Sequence, residues 1–405
     1  MTDTLVMKSI QQRDQAGHVP DRISERPGTD ATSYLRMRLA ELHPAYFALV
    51  MATGIVAISC HLFGLRHLAV ALSWINLVTY PSLWILYIAR AMMFPDRVLA
   101  DWWDHGRAPG YFTVVAATGV LGVQTILLHD APLVAHILWW MCVVLWAACT
   151  YTVFTLLTIA EKKPSLEVGI NGGWLVAVVA TQAVCVLGCK LNGDVFGVGN
   201  RDAALYVLMS FWLGGGMLYF WIIGLIFFRY MFFSFSPNDL MPPYWINMGA
   251  VAISTLAGAL LTLATESSPL LAPLRPFMLG LTIMFWATAT WWIPMLLVLS
   301  VWRHFVRGVR FGYDPHYWGL VFPVGMYSVC TFQLADALEA SFLLWIARIF
   351  VIAAAAVWLL TFLGLAGRLL YLVLLAFPRR HMLPTMSSSK AHSPFVLEKI
   401  GGTIP

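Results

Sequence analysis

The chain has 405 residues, of which 11% are charged and 60% hydrophobic, with a mean hydropathy of +0.75 and a formal net charge of +5. Ordinary soluble proteins carry about a quarter charged residues, and a globule has too little interior to hide this much apolar surface. Disordered, fibrous and soluble nucleic-acid-binding classes are thereby excluded, leaving a polytopic membrane protein.

Residues 1–43 are polar and lack the apolar stretch and cleavage site of a signal peptide, so they read as a flexible cytoplasmic N-terminal extension. Residues 378–405 read as a flexible C-terminal tail. Between them, 44–377 reads as one transmembrane domain. A spanning helix needs about 20 mostly apolar residues, and lipid leaves the backbone no other way to satisfy itself here. Spans are predicted near 44–64, 68–93, 109–128, 132–160, 170–190, 203–233, 243–264, 275–302, 316–337 and 342–377. Shorter helices with Gly and Thr alternate with longer, Trp-rich ones. The six cysteines lie in or beside apolar stretches and read as packing residues.

Basic residues set the orientation. Of 25 Lys and Arg, 20 fall on the side holding the N-terminus, and Arg66, Lys190, Arg201 and Arg275 fall on the other. Arg348 lies inside the last span, where snorkelling, pairing with Glu339 or Asp336, and facing an anion all stay open. Both termini are therefore expected in the cytoplasm, with the chain in the cell membrane.

The short helices share an opening phrase. Pro44-Ala45-Tyr46-Phe47, Pro109-Gly110-Tyr111-Phe112, Pro242-Pro243-Tyr244-Trp245 and Pro315-His316-Tyr317-Trp318 all read P-x-Y-[F/W]. Composition predicts roughly 0.08 chance occurrences, so four make a repeat. Asn171-Gly172-Gly173-Trp174 fills the missing slot in degraded form. The expected fold is all-α: ten transmembrane helices as five parallel helical hairpins around a central pore, short helices inside and long ones outside. Small and hydroxylated residues suit either tight helix contact or a polar lining. Phe47, Thr53, Gly54, Thr118, Gly119, Thr181, Ser254 and Gly325 are the candidate lining residues.

The five inner helices carry charges only at their ends, so the intramembrane relay usual in proton-coupled carriers is not visible. Anions fit the geometry better. All five inner helices begin on the expected cytoplasmic side, with positive dipole ends at the inner mouth. Arg38, His43, Arg107 and Arg310, with Arg36, His105 and Arg307, would add an electropositive mouth there, although positive-inside topology alone also places them. No motif for metal, cofactor or nucleotide appears, and no catalytic residue is assigned; the chain reads as a transporter and not an enzyme.

Phe47-Ala48-Leu49-Val50-Met51-Ala52-Thr53-Gly54-Ile55-Val56-Ala57 resembles the opening signature of the tellurite-resistance/C4-dicarboxylate transporter family, and Trp318-Gly319-Leu320-Val321-Phe322-Pro323-Val324 its other characteristic stretch. The family includes malate permeases, sulfite efflux pumps and plant slow anion channels, and the resemblance covers roughly 43–377. It implies a five-helix pore, often in a homotrimer of separately conducting subunits. It also implies a phenylalanine gate at Phe322, with Pro323 disturbing the helix beside it. The expected function is transport of small anions: C4-dicarboxylates such as malate, chloride or nitrate, or tellurite and sulfite oxyanions. A proton-coupled exporter of sulfite or dicarboxylate, and a sealed membrane sensor or scaffold, are the alternatives.

Overall fold

A computed structural model describes residues 31–376, apart from 198, 238 and 311. Their regular structure is all helix, with no strand among the described residues, and ten helices are long and apolar enough to cross a membrane. The short set is α1 (Ala48–Leu62), α3 (Phe112–His129), α5 (Val176–Lys190), α7 (Ile246–Ala264) and α9 (Trp318–Ala337). The long set is α2 (Arg66–Met93), α4 (Pro132–Ile159), α6 (Arg201–Phe232), α8 (Arg275–Val301) and α10 (Leu344–Ala376). Described residues up to Ala366 belong to one compact unit, and the end of α10 falls in a second beginning at Gly367. Within the expected N-terminal extension, Ala31–Ala40 forms a helix.

The repeat phrase has a structural counterpart. Each short helix is entered through a 3-10 turn: Pro44–Phe47, Ala108–Tyr111, Gly172–Leu175, Pro242–Trp245 and Pro315–Tyr317. A proline in a first turn loses nothing, because that N–H has no intrahelical partner. In the degraded third copy the Asn171 side chain accepts from the Gly173 N–H at 2.8 Å and caps the turn instead. The third register therefore counts from Gly172, one residue later than the phrase alone indicates.

Burial separates two layers. The short spans are 67–94% buried and the long ones 22–33%. Each odd helix packs against the next odd helix, and α9 packs back on α1, so the five close into a ring. Even helices sit outside, in contact with the odd helices on either side. Aromatic donors tie the layers together. Trp146 of α4 donates to Thr181 at 2.8 Å, Tyr80 of α2 is hydrogen-bonded to Thr118 at 2.7 Å, and Trp358 of α10 donates to Thr53 at 3.0 Å. The last tie joins the final helix to the first. A Trp358→Phe substitution keeps most of the packing and removes one buried hydrogen bond, so thermal unfolding in detergent should show a loss of about 1 kcal/mol.

Small residues set the spacing within the ring. A Cβ on Gly249 of α7 would sit 2.7 Å from Cγ of Pro323, so the glycine admits the proline ring of α9. A Cβ on Gly119 of α3 would sit 2.9 Å from that of Ala183 on α5.

Charged clasps hold the end of the bundle where the odd helices begin, here called the proline end. Arg90, 2% exposed near the end of α2, donates to the Ala40 carbonyl at 3.2 Å and to Asp101 at 2.7 Å. Asp101 lies on the short helix Pro95–Trp103 and also accepts from Arg107 at 2.6 Å. Arg229 near the end of α6 repeats the device: it donates to the Ile170 carbonyl at 3.2 Å and to the Tyr244 hydroxyl.

Candidate functional site

Counting residues from Pro44, Pro109, Gly172, Pro242 and Pro315 makes the ring readable as layers. Eleven residues on stand Ile55, Val120, Ala183, Ile253 and Met326; fourteen on stand Ile58, Val123, Val186, Leu256 and Val329. All ten line one narrow cavity, completed by Gly119, Leu62, Leu127, Lys190 and Gln333. Each of the five odd helices contributes, so the cavity lies on the ring's axis. Its wall is aliphatic except at the far end, eighteen residues on, where Lys190 and Gln333 stand.

The same face continues one turn towards the proline end. Seven residues from each start are Met51, Ala116, Val179, Gly249 and Phe322, all buried and none lining the cavity. Phe322 is 2% exposed, four residues before Met326 and seven before Val329, on the face those two share. It is the one aromatic residue in this layer.

Most of the other expected lining residues sit elsewhere. Phe47 stacks edge-on against Tyr80, Trp84 and Tyr87 of α2, away from the cavity. Thr53, Thr118 and Thr181 bond the outer-helix aromatics described above, and Ser254 donates to the Ala250 carbonyl at 2.8 Å. A Cβ on Gly54 would meet Val120 and Asn76, and one on Gly325 would sit 2.9 Å from Ile55, so both serve close helix approach. Gly119 is the expected residue that lines the cavity. The three threonine hydroxyls join helix to helix, that of Ser254 bonds its own helix, and aliphatic side chains line the cavity. The layer count identifies these aliphatic residues, whereas residue type alone pointed to the hydroxyls.

At the proline end the basic residues are unevenly deployed. Arg107 shares Asp101 with Arg90, so two guanidiniums and one carboxylate leave a single net charge. Arg310 is exposed and Arg38 half-buried. His43 accepts from the Ala45 N–H at 3.1 Å through Nδ1, and its ring meets that of His316 at 5.6 Å. Burial, then the charge of Arg107, then His316 and Arg90 push its pKa down to about 3. His43 is therefore neutral at neutral pH and adds no charge to the mouth. A histidine depressed in the folded state favours folding above its ordinary pKa near 6.5. That contribution is lost as pH falls towards 3. Melting temperature in detergent should drop as pH falls below about 6.5, and His43→Asn should flatten that slope.

Arg348 is exposed on α10 and does not line the cavity. Among the described residues no three His, Cys, Asp or Glu side chains gather into a metal-holding group. All six cysteines are free and buried.

Residues 41–366 match the model of the family described as voltage-dependent anion channel, across most of the chain. The chain belongs to that family. Relatives of the voltage-dependent anion channel fold reach across kingdoms. An uncharacterized transporter of Methanocaldococcus jannaschii is 25% identical over 296 residues, covering 70% of this chain and 81% of the relative. A sulfite efflux pump of Trichophyton rubrum is 23% identical over 341 residues, covering 80% and 90%. An uncharacterized membrane protein of Mycobacterium tuberculosis is 35% identical over 152 residues, covering 38% and 77%. These matches place this voltage-dependent anion channel relative among membrane anion transporters.

Proposed function

We propose that this protein passes small anions through the membrane along the axis of α1, α3, α5, α7 and α9, and that Phe322 closes that path. The observation that carries this reading is the axial cavity, to which all five inner helices contribute at the same two repeat layers. In a wall of aliphatic groups an ion gains nothing from protein hydroxyls, so passage depends on width and wetting. One aromatic ring in the next layer, which it shares with Met51, Ala116, Val179 and Gly249, is enough to seal a bore of that kind. The basic-residue count puts the proline end and both termini in the cytoplasm, and the cell membrane is the fitting location. The resemblance carries the homotrimer.

Sulfite leads the substrate panel because the fungal relatives are named for its efflux and align over 80% of this chain. Chloride, nitrate, malate and tellurite complete it. The test is a flux panel with purified protein in liposomes at fixed membrane potentials. Flux of at least one of these anions, above empty liposomes and without need of a pH gradient, is the expected result. Dependence on a pH gradient would instead identify a proton-coupled exporter. Absence of flux for every anion would leave a sealed scaffold.

A further inference from the structure

We infer that Lys190 and Gln333 form an anion-binding site at the far end of the axial cavity, which selects the sign of the ion that enters. This inference rests on the axial path proposed above and names the recognition site within it. Fifteen residues line the cavity, and Lys190 is the one ionisable side chain among them. It stands at the last residue of α5, half-buried, and among the described residues makes neither an ion pair nor a hydrogen bond. Gln333 is 7% exposed, lines the same end of the cavity, and likewise finds no protein partner for its amide among the described residues. The two stand at the same repeat step, on α5 and α9, at the end of an otherwise apolar lining. Their polar groups, without protein partners among the described residues, are free to take a ligand.

Chemistry fixes what that ligand is. The ammonium offers three donors and no acceptor, and the glutamine amide has two more. Together they suit a small anion that accepts hydrogen bonds, either a halide or an oxyanion, and they repel cations. The charge has a large effect here because the next two layers inward are wholly aliphatic, so field lines from one ammonium are focused along the axis. Leu62 and Leu127 occupy the corresponding positions on α1 and α3, so nothing in the lining of this layer offsets the charge. The carboxylate of Asp336, exposed one turn beyond Gln333 on α9, acts on Lys190 through space without forming an ion pair with it. It weakens the site's hold, which favours release over trapping.

The experiment uses full-length protein in liposomes, with chloride and sulfite as the probes, in wild-type and Phe322→Ala backgrounds. Lys190→Gln should lower the flux of both anions about tenfold, the low end of the range expected for electrostatic focusing in a cleft, while Lys190→Arg keeps it. Lys190→Cys should lose flux like Lys190→Gln. It should then regain flux with a thiol reagent that attaches an ammonium, and not with one that attaches a sulfonate. The native cysteines are buried, and wild-type protein controls for their modification. Equal flux in wild type and Lys190→Gln, with Lys190→Cys indifferent to both reagents, would overturn the site and leave transport standing. No flux of either anion in any background, Phe322→Ala included, would overturn the axial path and the site together.

Discussion

Phe322→Ala liposomes should conduct anions about tenfold faster than wild type or more, because removing about 1.4 kcal/mol from a barrier is worth a factor of ten. The ring stands in a layer with Met51, Ala116, Val179 and Gly249, just beyond the last cavity-lining layer. Alanine there leaves a continuous column of small and aliphatic side chains. The substitution also deletes a buried aromatic, which ordinarily costs about 3–5 kcal/mol, so melting temperature must be followed alongside flux. Phe47→Ala is the matched control. That ring is equally buried but packs on Tyr80, Trp84 and Tyr87. It should lose comparable stability with no gain in flux. If both variants raise flux alike, general loosening explains the result and the gate assignment fails. Phe322→Leu should fall between wild type and alanine.

Asp101→Asn should be the most destabilising single polar substitution, at about 3–5 kcal/mol, read as a fall in melting temperature in detergent. Asp101 is 5% exposed and answers two guanidiniums, Arg90 at 2.7 Å and Arg107 at 2.6 Å. Arg90 is itself 2% exposed, so losing the carboxylate strands a buried cation beside a second one. The clasp joins α2, the Pro95–Trp103 helix and the loop before α3 at the proline end, next to His43. Replacing Arg90 with Met in the Asp101→Asn protein should recover part of the loss, because the stranded charge is then gone. A drop of less than about 1 kcal/mol would show that the cluster behaves as an exposed ion pair.

The phrase P-x-Y-[F/W] located four of five inner helices because a proline-led first turn is a local property, set by φ and a missing donor. Span lengths followed from hydropathy for the same local reason. Thr53, Thr118 and Thr181 illustrate what was not legible. A threonine on an inner helix reads equally as pore lining or as a partner for an outer helix. The deciding atoms are Trp358, Tyr80 and Trp146, up to 305 residues away along the chain. Lys190 illustrates the same point. The sequence places it at the end of an inner helix on the far side, and the closure of five helices makes it part of a wall.

The sequence by itself determined that this is a ten-span membrane protein built from a fivefold repeat, with its inner helices free of charge except at their ends. Hydropathy, proline placement and repeat spacing are properties of neighbouring residues, and no folding is needed to read them. Only the tertiary structure decided which face of each inner helix meets the axis. A helix turns through about 100° per residue, so residues one position apart face different neighbours. Ring closure then lined the axial cavity with aliphatic side chains and one lysine, and turned Thr53, Thr118 and Thr181 to the outer helices.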